Sequence, residues 1–312
     1  MGSIIIGSGT SFPSRSFDNN QMSKWIDGRK SADWIAEKFS IYSRPSLYDF
    51  SGRKRSEEMD IDIIAEAAKS ALNRASLNVK AVDAILVVST FPSVFPDLSA
   101  QLHHRLGCRE DVFTSLGAGG CCSTLTALHQ ADCLLKTGSY KNVLLVMSCN
   151  LSTTINEENK EKSWLQGLIF GDGAAALVLT NDSSKRGFQN FEMFTEHDND
   201  VVVNRSYMDF NFRQVPINLN EKSQFLVKKF RNHTDSKTVI VNNSNYRHQK
   251  KIADDNNFKT LFHIHEFGNL GPASLATSIH HHLSNDAIEN EIVMMSIGTG
   301  LQYGYAIYRD HV

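Results

Sequence analysis

Along the chain, runs of aliphatic and β-branched residues bounded by turn formers alternate with segments whose apolar positions recur three and four residues apart. The first kind predicts buried strands at SIIIG (3–7), DAILVVST (83–90), 111–116, NVLLVMS (142–148) and, after a glycine turn, within FGDGAAALVLTND (170–182). The second kind predicts helices over 60–76, near 97–107 and over 123–137; the first of these opens with acidic residues that suit a helix N-terminus. Further on, TVIVNN (238–243), EIVMMSI (291–297) and QYGYAIYRD (302–310) read as strands, and NLGPASLATSIHHHL (269–283) as a helix entered through glycine and proline.

The order of elements repeats. GGCCSTLTALHQADCLL, NVLLVMS and GAAALVLTND match NLGPASLATSIHHHL, EIVMMSI and YGYAIYRD as turn, helix, strand, glycine turn and strand. A duplicated α/β unit follows, and strands so continuously apolar are covered on both faces, as in parallel-rich sheets around shared helices. The polar stretches 152–163 and 196–216 predict surface loops of the kind that often covers a site. KKFRNH (228–233) and RHQKK (247–251) read as solvated basic faces, and the three histidines at 280–282 as a partly exposed helix face.

Composition narrows the function classes. With 41% hydrophobic and 21% charged residues in 312, this is an ordinary globular chain able to bury a sizeable core. A formal net charge of -2 without a Lys/Arg stripe argues against a nucleic-acid partner. No apolar run approaches the roughly 20 residues that span a bilayer, and MGSIIIGSG lacks the form of a signal peptide, so no membrane association and a cytoplasmic location are expected. The five cysteines, Cys108, Cys121, Cys122, Cys133 and Cys149, have neither disulfide nor metal-ligand spacing, so no metal is expected.

GAGGCC (117–122) carries the candidate chemistry. It delivers a thiol to the first turn of a predicted helix, where the dipole and unpartnered N–H groups favour the thiolate. Gly117, Gly119 and Gly120 would permit a sharp turn with positive φ and leave room for a substrate carbonyl. On this stretch alone, a glycine turn before two small buried cysteines is as good a reading.

The stretch, with ADWI (32–35), VVSTFPSVFPDLSAQLHHRLG (87–107), SYKNVLLVMSCNLS (139–152), IFGDGAAALVL (169–179), EFGNLGPAS (266–274) and SIGTGLQYG (296–304), resembles the β-ketoacyl-ACP synthase III branch of the thiolase-like superfamily. The resemblance covers nearly the whole chain in order. It implies a duplicated five-layer α-β-α-β-α fold, with an N-terminal half at 1–183 and a C-terminal half at 184–312. It also implies that Cys121 is acylated by a CoA or acyl-carrier-protein (ACP) thioester, with no further cofactor. The oxyanion would be held by the N–H of Cys121 and one from Gly298-Thr299-Gly300, and Asn269 matches the catalytic asparagine. Phe95 matches a residue that reaches across a dimer into the neighbour's acyl pocket.

Departures from the pattern matter as much. TVIVNNSNY places Asn243 where the family has its histidine, and an amide cannot exchange a proton near neutral pH. His248 is a candidate substitute, while His263 and His265 read as satisfied strand residues. Trp34 keeps the tryptophan that stacks near the CoA adenine, but Lys38 stands for an arginine, and Trp164 stands where another CoA-binding arginine is common. The expectation is an acyltransferase, as a homodimer or as a heterodimer with a ketosynthase-like relative, serving specialised or fatty-acid-derived biosynthesis. Loss of the histidine counts against ordinary malonyl-ACP elongation; the alternative is a non-catalytic partner subunit.

Overall fold

The computed structural model describes residues 2–91, 95–182, 186–197, 200–203, 208–211, 213–284 and 291–309. The N-terminal half runs through β1 (Gly2–Ser11), α1 (Ala32–Phe39), α2 (Asp60–Arg74), β2 (Ala84–Ser89), α3 (Leu98–Leu106), β3 (Phe113–Ala118), α4 (Ser123–Lys136), β4 (Asn142–Cys149), α5 (Lys160–Ile169) and β5 (Gly173–Asp182). The C-terminal half continues with β6 (Gly187–Thr195), β7 (Val201–Val203), β8 (Met208–Phe210), α6 (Gln214–Phe230), β9 (Val239–Val241), α7 (Tyr246–Asn256), α8 (Ile264–Phe267), α9 (Ala273–Ser284), β10 (Glu291–Gly298) and β11 (Gln302–Arg309).

Topology bears out the repeat. The first sheet has the order β1-β5-β4-β2-β3 and the second β6-β11-β10-β9. In each, the first two pairings are antiparallel and the next is parallel. The half boundary expected at 183/184 lies outside the described residues.

Burial explains the layers. Leu125 and Leu128 of α4 and Leu275 and Ile279 of α9 share one core with the inner faces of both sheets, among them Leu145, Leu177, Ile292 and Met294. The outer face of the first sheet packs Val87, Leu144 and Val146 on Ile64, Ala68 and Leu72 of α2. That of the second packs Val239, Met295 and Tyr305 on Leu226 and Phe230 of α6 and Ile252 of α7. The result is α-β-α-β-α, with both sheets apolar on both faces, as the unbroken strand patterns require. Burying a Leu or Ile side chain stabilises by about 1.5–3 kcal/mol, so the shared central layer binds the halves together.

Three expectations change. The stretch 152–163 is not all loop: α5 begins at Lys160, and Ser152, Lys160 and Ser163 are buried. The region 196–216 folds in part as the β7–β8 hairpin and the start of α6. The histidine run faces inward, with His282 buried, His280 against the Ser8 hydroxyl and His281 stacked on His263. Among the described residues no helix is long and apolar enough to cross a membrane.

Candidate active site

A cavity of about 590 Å³ descends between the halves and ends on Cys121 and Asn269. Its walls are mainly apolar, including Phe39, Ile169, Phe170, Val201, Met208, Phe210, Leu219 and Ile297. Lys38, Arg247 and Lys251 also line it, and the Arg247 guanidinium donates to the Glu37 carbonyl.

The polypeptide around Cys121 is tight without being strained. None of Gly117, Gly119 and Gly120 has positive φ, contrary to the expectation from the glycine cluster. Close approach is what two of them supply: a Cβ at Gly119 would meet Ser123 Oγ at 1.8 Å, and one at Gly120 would meet Thr299 Oγ1 at 2.7 Å. On the opposite side, a Cβ at Gly298 would come within 2.8 Å of the Cys122 nitrogen and 3.3 Å of the Cys121 nitrogen. The Gly298-Thr299-Gly300 loop therefore lies against the backbone of Cys121 and Cys122, and Gly300 turns it with φ 85°.

Cys121 sits one position outside the helix. Cys122 is the N-cap of α4, and its own sulfur points toward the Ser296 carbonyl, 3.9 Å away. Burial pushes the Cys121 thiol up from its ordinary value; hydrogen bonds from Asn269, its own backbone N–H and Asn242 oppose that only in part. The sequence-based expectation of a lowered thiol is thus reversed, because desolvation of the anion outweighs the helix terminus.

Asn269 is fixed from both sides. Its N–H donates to the Ile169 carbonyl at 2.9 Å and its carbonyl accepts from Gly171 N–H at 3.2 Å, which stitches GNLG to IFGDG. Its Oδ1 accepts from Gly271 N–H at 2.9 Å, leaving Nδ2 3.8 Å from Cys121 Sγ. The match drawn from sequence therefore meets the thiol in space.

Asn243 does not. Its Nδ2 donates to Ser278 Oγ at 2.6 Å and its Oδ1 accepts from His263 N–H at 2.9 Å, so the side chain is spent in the central layer, away from the cavity lining. The neighbouring Asn242 turns the other way, its amide paired with both the N–H and the carbonyl of Ile297. Spacing along a sequence carries an uncertainty of one residue here, and one residue at a strand end reverses the face.

The other candidates separate cleanly. Lys38 lines the cavity, but Trp34 does not; it packs edge-on against Phe39 and under the Lys30 ammonium. Phe95 is 98% exposed and so is no core aromatic. His248 lines the cavity, yet its Nε2 is 2.9 Å from Ser223 Oγ and burial pushes it down to about 4. His263 precedes α8 and His265 lies within it; His265 Nδ1 meets the Ser40 carbonyl, whereas His263 Nε2 has no hydrogen-bond partner. Sequence reasoning missed the hairpin contribution of Val201, Met208 and Phe210 and the cavity roles of Arg247 and Lys251. The alternation Met208-Asp209-Phe210 was the available sign of a half-buried strand.

Comparison with known proteins agrees with this architecture. Residues 118–197 match the family model described as 3-oxoacyl-[acyl-carrier-protein (ACP)] synthase III. The chain is 26% identical over 323 residues to the β-ketoacyl-[acyl-carrier-protein] synthase III of Aquifex aeolicus, covering 99% of this chain and all of that one. It is 28% identical to that of Geobacillus kaustophilus, covering 97% of each. The crystal structure of the Aquifex aeolicus 3-oxoacyl-[acyl-carrier-protein] synthase III superposes with a TM-score of 0.85 at 24% identity, covering 99% and 100%. A structure of a Xanthomonas campestris OleA variant superposes at 0.86 with 15% identity, covering 99% of each. In fold and in end-to-end alignment the chain is thus similar to β-ketoacyl-[acyl-carrier-protein] synthases III, and its central segment matches the model of that family.

Proposed function

We propose that the protein is an acyltransferase of the condensing type, which takes an acyl group from a CoA or ACP thioester onto Cys121 and passes it to a carbon nucleophile. The observation that carries the reading is a deep apolar cavity whose floor is a thiol, with the Asn269 amide 3.8 Å away and the Gly298 loop behind it. Lys38, Arg247 and Lys251 suit the phosphate of a pantetheine arm threaded toward the sulfur. The relatives' names, which specify an acyl carrier protein, favour a carrier-bound substrate. Exposed Phe95 and the half-exposed edge strand β3 favour a homodimer.

The acceptor follows from what the floor lacks. Oxygen, nitrogen and unactivated carbon nucleophiles need a proton acceptor, and the one imidazole lining the cavity among the described residues, His248, is pushed by burial down to about 4, which makes it a weak base, and its Nε2 is engaged with Ser223. A β-carboxylated thioester needs none. Its C–C bond to carboxylate breaks with release of CO₂, the electron pair becomes an enolate, and the carbon attacks the Cys121 thioester. The C–S bond then breaks with its pair on sulfur, giving a β-ketoacyl thioester and the Cys121 thiolate. No proton changes hands; donors at two developing oxyanions suffice, and each contributes about 3 kcal/mol. The missing histidine, which from sequence counts against such elongation, is compatible with it on this accounting. An intact cavity ending on a nucleophile also favours catalysis over a silent partner role.

The test is discharge of acyl-protein. Malonyl thioesters should release a β-ketoacyl thioester with one CO₂ per acyl group. An acyl group that survives malonyl thioesters but leaves to amines, alcohols or water would overturn the carbon-acceptor reading.

A further inference from the structure

Arg247 joins the two halves at the rim of the cavity. It stands in the first turn of α7, where the positive end of its own helix disfavours a cation, and its guanidinium reaches to α1 and donates to the Glu37 carbonyl. That carbonyl is among the last four of α1, where donors within the helix run out, and it lies at the negative end of the helix dipole. Lys38, Arg247 and Lys251 line the cavity and are exposed, whereas Cys121 on its floor is buried. The bond from α7 to α1 therefore spans the mouth above the thiol.

Both posts of this bridge are fixed. His265 of α8 ties them together: its Nδ1 donates to the Ser40 carbonyl at 2.6 Å, and its own carbonyl accepts from Tyr42 N–H at 2.8 Å. The Tyr42 ring stacks on the His265 ring at 5.5 Å, and Tyr246 meets that ring edge-on at 4.3 Å, which anchors the residue before Arg247. The arm itself is different. Arg247 is exposed, and among the described residues the Glu37 carbonyl is its one hydrogen-bond partner. A phosphate is the better partner, because it takes two guanidinium N–H groups in parallel and adds an attraction of opposite charges that a neutral carbonyl lacks.

We propose that Arg247 is a latch across the cavity mouth that a phosphate opens: the guanidinium leaves the Glu37 carbonyl for the phosphate of an incoming CoA or carrier-protein thioester, and the arm of the substrate passes through the mouth so cleared. The proposal rests on Cys121 being the acyl acceptor and deepens that reading by naming what admits the donor. Lys38 and Lys251 line the same cavity and add to the pull on the anion. Without a phosphate the latch stays shut and shields the thiol between turnovers.

The test uses the whole chain and no acyl donor. Modification of Cys121 by N-phenylmaleimide, which is uncharged and so is not steered by the loss of a cation, is followed by peptide mass at fixed pH and ionic strength. Arg247→Ala and Arg247→Met should both react roughly three- to tenfold faster than the native chain, the weight of one hydrogen bond. Inorganic pyrophosphate, which stands for the diphosphate of CoA, should speed the native reaction and leave both variants unchanged. Dimethyl phosphate stands for the phosphodiester of a carrier protein: acceleration by it as well assigns the latch to both donors, and acceleration by pyrophosphate alone assigns it to CoA. Faster modification in Arg247→Ala but not in Arg247→Met would mean a plug of bulk and overturn the proposal, as would a native rate that pyrophosphate leaves unchanged or lowers. Because no acyl group takes part, a chain that passes these tests yet is never acylated would refute the acyl-transfer reading and leave the latch standing.

Discussion

The two central helices are the duplicated element, yet the turns that open them are built differently. Before α9, Gly268 (φ 66°) and Gly271 (φ 50°) take left-handed conformations that bracket Asn269 and aim its amide. Before α4, the chain uses no left-handed residue between 117 and 122 and is shaped by contact, with Gly119 over Ser123 and Gly120 over Thr299. Two helix starts meet at one cavity, and they differ in what they bring to it, the first the Cys121 thiol and the second the Asn269 amide. A turn that only aims an amide is set by backbone conformation. One that carries a thiol must also admit a substrate, so it is defined by what it leaves empty.

The largest effect should come from the first half's contribution. Cys121→Ala should reduce turnover on the order of 10⁴-fold or more in an acyl-transfer assay. Asn269→Ala should cost about 100- to 1000-fold in kcat per folded molecule, because it removes one oxyanion donor, and about 1–3 kcal/mol of stability, because it strips the Gly271 N–H of its partner. Gly298→Ala puts a methyl against the Cys122 backbone; stability should fall by about 1–3 kcal/mol in denaturant unfolding, with a smaller activity loss than Asn269→Ala. In Asn243→Ala the order is inverted: stripping partners from Ser278 and the His263 N–H should cost about 1–3 kcal/mol of stability, with activity per folded molecule little changed.

The smallest effect concerns pH and stability. Burial pushes His248, His263 and His280 each down to about 4. Unfolded histidines protonate near 6.5, so the unfolded state binds more protons between pH 6.5 and 4, and stability falls as the solution is acidified through that window. Asp60 and Asp172, raised by burial to about 6, act oppositely: their folded forms take protons first, which stabilises on acidification from 6 toward 4. The histidines outnumber the two carboxyls, so the melting temperature should still fall as pH is lowered from 6.5 toward 4, less steeply than the histidines alone would give.

Much of the fold was legible because its physics is local. Strands covered on both faces must be continuously apolar, and NVLLVMS and EIVMMSI were recognisable for that reason. The repeat followed from their order. The stretch 196–216 was expected as loop of the kind that covers a site, but its strands were not legible, because β7 and β8 are three residues each. Cys121 and Asn269 were found through glycine-bearing motifs that constrain their own turns. That the Asn243 side chain turns into the central layer was not legible, because two adjacent identical residues differ only in the face they present, and the ladder to β10 decides that. The thiol's direction of shift was misread for a similar reason: proximity to a helix start is local, whereas burial is the sum of everything folded around it.

The central claim is that Cys121 carries the acyl group. It is tested most directly by incubating the protein with acyl-CoA and acyl-ACP donors of graded chain length and measuring intact and peptide masses. The account predicts one acyl adduct per chain, mapped to Cys121 and absent from Cys121→Ala. No adduct with any donor, or an adduct that persists in Cys121→Ala, would contradict it.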